Sequence, residues 1–138
     1  MKIILLIMIG LNLLQADFIR DDTKEVVLDT TTNLMWQDDA DVATITKNWL
    51  DAIDYCELST LGGFNDWRLP NHNELYLLAD RKAYNPAISS IFVNINNSFY
   101  WCSTTLSIDS NAAWGINFSY SYNNADIKTA THYARCVR

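Results

Sequence analysis

Residues 62–70 constrain the fold more than any other stretch, because they contain one short strand pattern and have a helical pattern on each side. The pair Gly62-Gly63 ends the first helix, since glycine is a poor helix former. The tripeptide Trp67-Arg68-Leu69 is typical of a strand. Asn71 and Glu74 then form a capping-box pattern, which predicts that a second helix begins there. This stretch therefore indicates a fold that mixes helices and strands.

The two helices are predicted from hydrophobic periodicity. Over residues 46–58, apolar side chains recur at helical spacing, so that one face is apolar and carries Cys56. The second helix is predicted to run to about Arg81. Its buried side consists of Leu75, Leu78 and Ala79.

Strands are predicted where β-branched or alternating apolar residues are bounded by turn residues. Residues 26–29 and 34–37 flank a polar tetrad and form a hairpin, and later strands cover residues 99–104, 113–122 and 132–138. In residues 113–122, Trp114, Ile116 and Phe118 alternate with small or polar residues and mark the inward face. The sum is an α+β fold in which two helices pack on antiparallel strands and the loops gather to one side.

Residues 84–98 have no regular pattern and are predicted to form a long surface loop, anchored by Ile91-Phe92. Long loops in compact domains usually carry function or mobility. Tyrosine and asparagine are adaptable contact residues in binding loops, and they are frequent here and in residues 119–126. Tyr100 is expected to lie on the same surface. The candidate binding residues are Tyr84, Asn85, Asn94, Asn96, Asn97, Tyr120, Tyr122, Asn123 and Asn124.

The first residues have the pattern of a secretory signal peptide. Lys2 precedes an apolar run over residues 3–14, and Ala16 precedes the charged start of the following segment. The run is too short for an ordinary membrane span, and no cysteine stands at the cleavage region to carry a lipid. We therefore expect a secreted or periplasmic protein that is cleaved near Ala16, is not membrane-embedded and folds as one domain over residues 17–138.

The charge balance excludes several partners. The formal net charge is −6, and loss of Lys2 with the leader changes it to −7. Polyanion binding needs clustered Lys and Arg, whereas here only Arg81 and Lys82 are adjacent. Nucleic acid and sulfated polysaccharides are accordingly not expected as partners.

No metal or cofactor is predicted. Asp38, Asp39 and Asp41 offer oxygen ligands to calcium, but their spacing matches no EF-hand loop, and a solvated acidic loop is the favoured interpretation. His72 and His132 lack the spacing of zinc ligands.

No catalytic residue is predicted either. A catalytic interpretation would use carboxylates as acid and base. Arginine forks that bond to loop carbonyls or to a carboxylate, together with helix capping, explain the same residues more simply. The charged residues concerned are Asp66, Arg68, Glu74 and Arg135.

Five segments of the chain follow the order of segments in a bacterial family. They are Leu34-Met35-Trp36-Gln37, Gly62-Gly63-Phe64-Asn65-Asp66-Trp67-Arg68-Leu69-Pro70, Tyr100-Trp101-Cys102-Ser103-Thr104, Ala113-Trp114-Gly115-Ile116-Asn117-Phe118 and Tyr133-Ala134-Arg135-Cys136-Val137-Arg138. With these segments the chain resembles the DUF1566 domains, also called the Lcl C-terminal domain after a collagen-like adhesin. That family is similar to the C-type lectin-like fold.

The resemblance implies a structure and a disulfide. Two helices would pack on antiparallel sheets with long irregular loops, and a disulfide would tie the first helix to the final strand, here Cys56 to Cys136. Cys102 is then left over and is interpreted as a small buried hydrophobe. At the place of the Trp-Asn-Asp triplet of sugar-binding lectins, this chain has Trp114-Gly115-Ile116, so calcium-dependent sugar binding is not expected.

The resemblance also implies a function. It favours an exported, non-catalytic binding or adhesion module that recognises a glycan or an envelope or extracellular protein through its surface loops. Two alternatives belong to other classes: a cell-envelope enzyme distantly related to formylglycine-generating folds, and a structural subunit of a surface assembly. Fold alone does not decide among them, because function depends on the site that a fold carries.

Overall fold

The computed structural model describes residues 17–138, and the predicted leader lies outside the described residues. Residues 17–138 contain three α-helices: α1 (Asp41–Thr44), α2 (Trp49–Glu57) and α3 (His72–Leu78). The strands are β1 (Phe18–Asp21), β2 (Val26–Asp29), β3 (Leu34–Gln37), β4 (Thr46–Lys47), β5 (Phe99–Leu106), β6 (Asp109–Asn117), β7 (Tyr122–Ile127) and β8 (His132–Tyr133). The predicted α+β class is confirmed.

The strands of the described residues form two sheets. The first is antiparallel, with the strand order β1-β2-β3, and the second has the order β4-β8-β5-β6-β7. In the second sheet, β5 and β8 pair in parallel through Tyr100 and Tyr133, whereas the other neighbours are antiparallel. The second sheet is therefore mixed, where the sequence predicted antiparallel strands throughout.

The C-terminal residues connect the first sheet to the segment after the glycine pair. Val137 forms single bridges with Trp36 and with Arg68. The backbone N–H of Gln37 also donates to the carbonyl of Cys136 at 2.9 Å. The predicted strand at residues 67–69 is thus an extended segment with one bridge, and the end of the chain fills the space between it and β3.

The second sheet is covered by one helix on each face. Successive side chains of a strand point to opposite faces, and β5 shows this directly. One core cluster contains Tyr100 and Cys102 of β5 with Leu75 of α3. The other contains the alternate residues Phe99 and Trp101 with Ala52 and Cys56 of α2 and with Trp67.

Gly115 of β6 is required by this packing. A Cβ atom at this position would overlap the ring of Phe99 and the carbonyl oxygen of Tyr100. The close approach of the Phe99 ring to the β6 backbone depends on a residue without a side chain.

The helices differ from the prediction at their ends. Helix α2 begins at Trp49, where the Asn48 side chain accepts the N–H of Asp51, because the preceding residues pair with β8 as strand β4. Helix α3 has the predicted capping box between Asn71 and Glu74, but it ends at Leu78. Helix α1 begins at Asp41, the last residue of the predicted acidic loop. None of the helices in the described part of the chain is long and apolar enough to cross a membrane.

Cys56 and Cys136 form a disulfide, with their Cα atoms 5.4 Å apart. This bond ties α2 to the C-terminal segment. Cys102 is free and fully buried, and burial raises the pKa of its thiol well above the usual range. A thiol of this kind is a poor nucleophile because little thiolate forms near neutral pH.

Candidate binding surface

The structure brings residues 84–98 into contact with the connection between β6 and β7 at one end of the second sheet. The predicted loop over residues 119–126 is a loop only as far as Ser121, because residues 122–126 belong to strand β7. The backbone N–H of Asn85 donates to the carbonyl of Ser119 at 2.9 Å. The hydroxyl of Ser119 donates to the carbonyl of Asn97 at 2.8 Å. Residues 84–98 and 119–126 are therefore parts of one hydrogen-bonded surface.

Tyr84 and Tyr120 project from these loops, and Tyr122 is the first residue of β7. Tyr84 is 73% exposed, Tyr120 is 60% exposed and Tyr122 is 51% exposed. The rings of Tyr120 and Tyr122 lie almost parallel, at an interplanar angle of 16°, with their centroids 6.4 Å apart. We call these three residues together with Asn85 and Asn97 the tyrosine surface.

The backbone that carries these tyrosines is held in an unusual conformation. Asn85 has a φ of 45° and Ser121 a φ of 58°. Both lie in the left-handed region, which non-glycine residues adopt infrequently and which surrounding structure must hold in place. Ser121 is buried, and its N–H donates to the carbonyl of Asn117 at 2.9 Å. The two residues fix the directions in which the neighbouring tyrosines leave the chain.

Asn94 and Asn96 lie away from this surface because their amide groups bond inside the protein. The side chain of Asn94 donates to the carbonyl of Asp38 at 2.7 Å, and that of Asn96 donates to the hydroxyl of Tyr133 at 2.9 Å. Tyr100, expected on the surface, is fully buried and donates its hydroxyl proton to the carbonyl of Val42. A sequence pattern cannot separate such internal amides from exposed ones.

Asn123 and Asn124 lie exposed on β7, the edge strand of the second sheet. The side-chain oxygen of Asn123 lies 3.0 Å from Nε2 of His72, the first residue of α3. The side chain of Asn124 accepts the N–H of Ala125. Asn123 thus links the strand that carries Tyr122 to the first turn of α3.

A buried ionic network centred on Asp38 bonds to the backbone of residues 84–98. Asp38 accepts hydrogen bonds from Arg135 at 2.9 Å, from Arg20, and from the backbone N–H of Val93 at 2.9 Å. Arg135 is fully buried and also donates to the carbonyl of Asn94. The interpretation of Asp38 as part of a solvated acidic loop is therefore wrong.

The neighbouring acidic residues also have internal partners. Asp39 accepts from the side chain of Gln37 at 2.8 Å, and its partial burial raises the pKa of its carboxyl group. Asp41 accepts from the hydroxyl of Tyr55 at 2.8 Å. In residues 17–138, no cluster of three or more acidic, histidine or cysteine side chains could hold a metal ion.

The remaining charged residues of the motifs form ion pairs. Arg68 makes a two-pronged bond to Glu74, with both distances 2.7 Å, and this bond lowers the pKa of Glu74. Asp66 pairs with Arg138 at 2.5 Å. These contacts give each group a structural partner.

Two concave sites were not predicted from the sequence. A cavity of about 130 Å³ lies between the β2–β3 turn and α3, and we call it the α3 cavity. A groove of about 410 Å³ lies beside α2, where the Lys128 amine is 4.0 Å from the centre of the Trp49 ring. The α3 cavity is lined by Asp29, Thr32, Leu34, Trp36, Asn71, Asn73, Glu74, Leu77 and Leu78.

Comparison with known families gives one match over most of the chain. The model of the family described as the Lcl C-terminal domain matches residues 25–138. The match includes the tyrosine surface, the disulfide and the α3 cavity, and it begins after strand β1. No curated protein sequence matches the chain.

Proposed function

Since the chain belongs to the Lcl C-terminal domain family, we propose that it is an exported, non-catalytic binding module. It recognises a glycan or an envelope or extracellular protein through the tyrosine surface. We also propose that its fold is of the C-type lectin-like kind. The disulfide between α2 and the C-terminal segment and the long loops at one end of a mixed sheet support that assignment.

The observation that carries the proposal is the presentation of three exposed tyrosine rings, two on hydrogen-bonded loops and one at the start of β7. Tyrosine supplies a large apolar face and a polar tip at low entropic cost, so it suits stacking on a sugar or a peptide backbone. Binding costs less when the contact residues are already held in place. The backbone hydrogen bonds of Asn85 and Ser121 hold the chain beside the tyrosines in one conformation.

Export is part of the proposal. It is supported by the predicted leader and by the disulfide, since disulfides persist in oxidising compartments outside the cytosol. Mass spectrometry of the protein recovered from periplasm or medium should give a chain that begins near Asp17. Recovery of the uncleaved chain from cytoplasm would contradict export.

The ligand is expected to bind without a metal. Asp38, Asp39 and Asp41 all direct carboxylate oxygens to internal hydrogen-bond donors, and calcium needs six to eight oxygen ligands. Chelator should therefore leave binding unchanged. Binding that chelator abolishes would restore a calcium site near these residues.

A glycan array and a pull-down from envelope proteins, both with residues 17–138, test the function. The double variant Tyr84→Ala/Tyr122→Ala should weaken binding at least about tenfold, which corresponds to 1.4 kcal/mol, without lowering the Tm. Leu58→Ala is the matched control, because Leu58 is exposed on the α2 side of the molecule. Equal binding by the double variant and the control would contradict the proposal.

A further inference from the structure

Strand β7 is an open edge of the second sheet, and two of its outward N–H groups are already bonded. Within residues 17–138, only β6 lies beside β7. The N–H of Ala125 donates to the side-chain oxygen of Asn124 at 2.9 Å, and the N–H of Ile127 donates to the carboxylate of Asp126 at 2.7 Å. Each of these N–H groups is therefore bonded to the residue that precedes it and not to another strand.

The pairing of β7 with β6 shows which backbone groups face the open side. In an antiparallel pair, the N–H and C=O of one residue point to the same side, and the side alternates along the strand. The N–H of Lys128 donates to the carbonyl of Asn111 of β6 at 2.8 Å, so the residues two and four positions earlier also face β6. The carbonyls of Asn123 and Ala125 therefore face outward. They lie about 6.8 Å apart, since strand residues rise by about 3.4 Å each.

This arrangement disfavours an extended peptide at the edge. A peptide that adds to a sheet as a new strand exchanges N–H and C=O groups with the edge strand. On β7, the N–H groups that such a peptide needs are bonded to Asn124 and Asp126. Carbonyls of the peptide would be left without donors, which costs free energy once they are removed from water. Charged and polar side chains protect other sheet edges from strand pairing in a comparable way.

Hydroxyl groups fit the same edge, because a hydroxyl both donates and accepts hydrogen bonds. It donates to an outward carbonyl and accepts from a neighbouring amide. Asn124 is exposed and uses its side-chain oxygen to hold the N–H of Ala125, which leaves its side-chain nitrogen free to donate to a ligand. Tyr122 of the tyrosine surface is the first residue of the same strand. A sugar stacked on Tyr122 is therefore followed along β7 by carbonyl acceptors and an amide donor.

The charges at this edge favour a neutral sugar. The Asp126 carboxylate is paired with Nε2 of His132 at 2.7 Å, and this contact lowers the pKa of Asp126, so the carboxylate stays ionised near neutral pH. Strand β7 contains no Lys or Arg. Lys128, which follows the strand, directs its amine to the hydroxyl of Thr105 at 2.9 Å. A carboxylated or sulfated sugar would meet a negative charge here without a compensating cation.

We propose that the edge of β7 binds a neutral oligosaccharide that also stacks on Tyr122. Its hydroxyls donate to the carbonyls of Asn123 and Ala125 and accept from the side chain of Asn124. This inference rests on the proposed function, and it selects a glycan as the ligand instead of an extended peptide.

Titration of the ¹⁵N-labelled protein with a neutral oligosaccharide tests the inference. The glycan array for residues 17–138 should give its hits among neutral oligosaccharides, and the strongest of these is the probe. The backbone amide signals of residues 122–126 should shift saturably.

A matched pair of variants tests the role of the Asn124 amide. Asn124→Asp keeps an oxygen for the N–H of Ala125 but has no side-chain donor, so it should raise the Kd about fivefold, the effect of one hydrogen bond. Asn65→Asp makes the same charge change at an exposed position outside β7, and it should leave the Kd unchanged. Equal Kd values for the two variants would contradict the contact to Asn124.

The protection of the edge can be measured without a ligand. Asn124→Val/Asp126→Val removes both side-chain acceptors and frees the N–H groups of Ala125 and Ile127. This variant should self-associate more strongly than the wild type in light scattering, with slower exchange of these two amides at high protein concentration. Association no stronger than that of the wild type would contradict the protective role. If the wild type associated with the same two amides protected, the edge would be a strand-pairing site and the proposal would be overturned.

The outcomes separate this inference from the proposed function. Array hits confined to acidic sugars, or neutral-sugar binding that leaves the β7 signals unmoved, would overturn the edge assignment. If only an envelope protein is captured and its binding depends on Tyr84 and Tyr122, the proposed function stands and the glycan inference fails. If the β7 signals shift and the tyrosine variants bind normally, the tyrosine surface is the part that fails. Absence of binding in both assays would contradict both proposals.

Discussion

Replacing Asp38 by asparagine is expected to destabilise the protein strongly. The side chain is fully buried and faces two arginines, Arg20 and Arg135. Removal of one partner of a buried ion pair typically costs about 3 to 5 kcal/mol, because the other charge is left buried and uncompensated. Asp38→Asn is expected within this range, since it removes the only carboxylate bonded to Arg135 in the described residues.

The same contacts predict an order among variants. Asp38 also accepts the backbone N–H groups of Val93 and Asn94, at 2.9 and 3.2 Å. Arg135→Met leaves Asp38 with Arg20 and both N–H groups, so it should cost less than Asp38→Asn. The double variant Asp38→Asn/Arg135→Met should lose less free energy of unfolding than the sum of the two single variants, because it removes both members of the ion pair and leaves neither charge without the other.

Urea unfolding measures these free energies, and hydrogen exchange locates the change. In Asp38→Asn, the amides of Val93 and Asn94 should exchange faster than in the wild type. Asp66→Asn is the matched control, since it removes an ion pair with Arg138 at the surface. If Asp38→Asn destabilised the protein no more than Asp66→Asn, the argument from the buried network would be refuted.

Three further predictions concern the core, the cysteines and acid stability. Trp67→Ala should cost about 3 to 5 kcal/mol in urea unfolding because Trp67 is buried, and Trp114→Ala should cost less because Trp114 is half-buried; equal costs would contradict the difference in burial. Reduction of the disulfide, which closes a separation of 80 residues, should lower stability by up to about 4.5 kcal/mol, and alkylation with mass analysis should modify Cys102 in the unfolded protein only. The bond to Arg68 lowers the pKa of Glu74, so the ion pair stabilises the fold above pH 4.5, the ordinary pKa of a glutamate, and this stabilisation is lost as the pH falls through the pKa of Glu74 in the folded protein. Below pH 4.5, Glu74→Gln should therefore lose less stability than the wild type, and parallel acid-unfolding curves would contradict this.

Several features follow from the sequence because they depend on neighbours along the chain. The capping box of Asn71 and Glu74 needs only residues three apart, and the β2–β3 hairpin needs only a short polar turn. The alternation over residues 113–122 placed Ile116 and Phe118 in the core, and both are fully buried. The family and the α+β class are in this sense readable from the resemblance and from local patterns.

The tertiary structure decided the features that depend on residues far apart in the chain. Asp38 and Arg135 are 97 positions apart, so no local pattern shows that an acidic residue beside a loop is buried. The same reason explains why Asn94 bonds internally while Asn97 stays at the surface, and why β8 pairs in parallel with β5. The α3 cavity exists because the β2–β3 turn and α3 leave space beside Trp36, and packing of this kind is fixed only when the whole chain has folded.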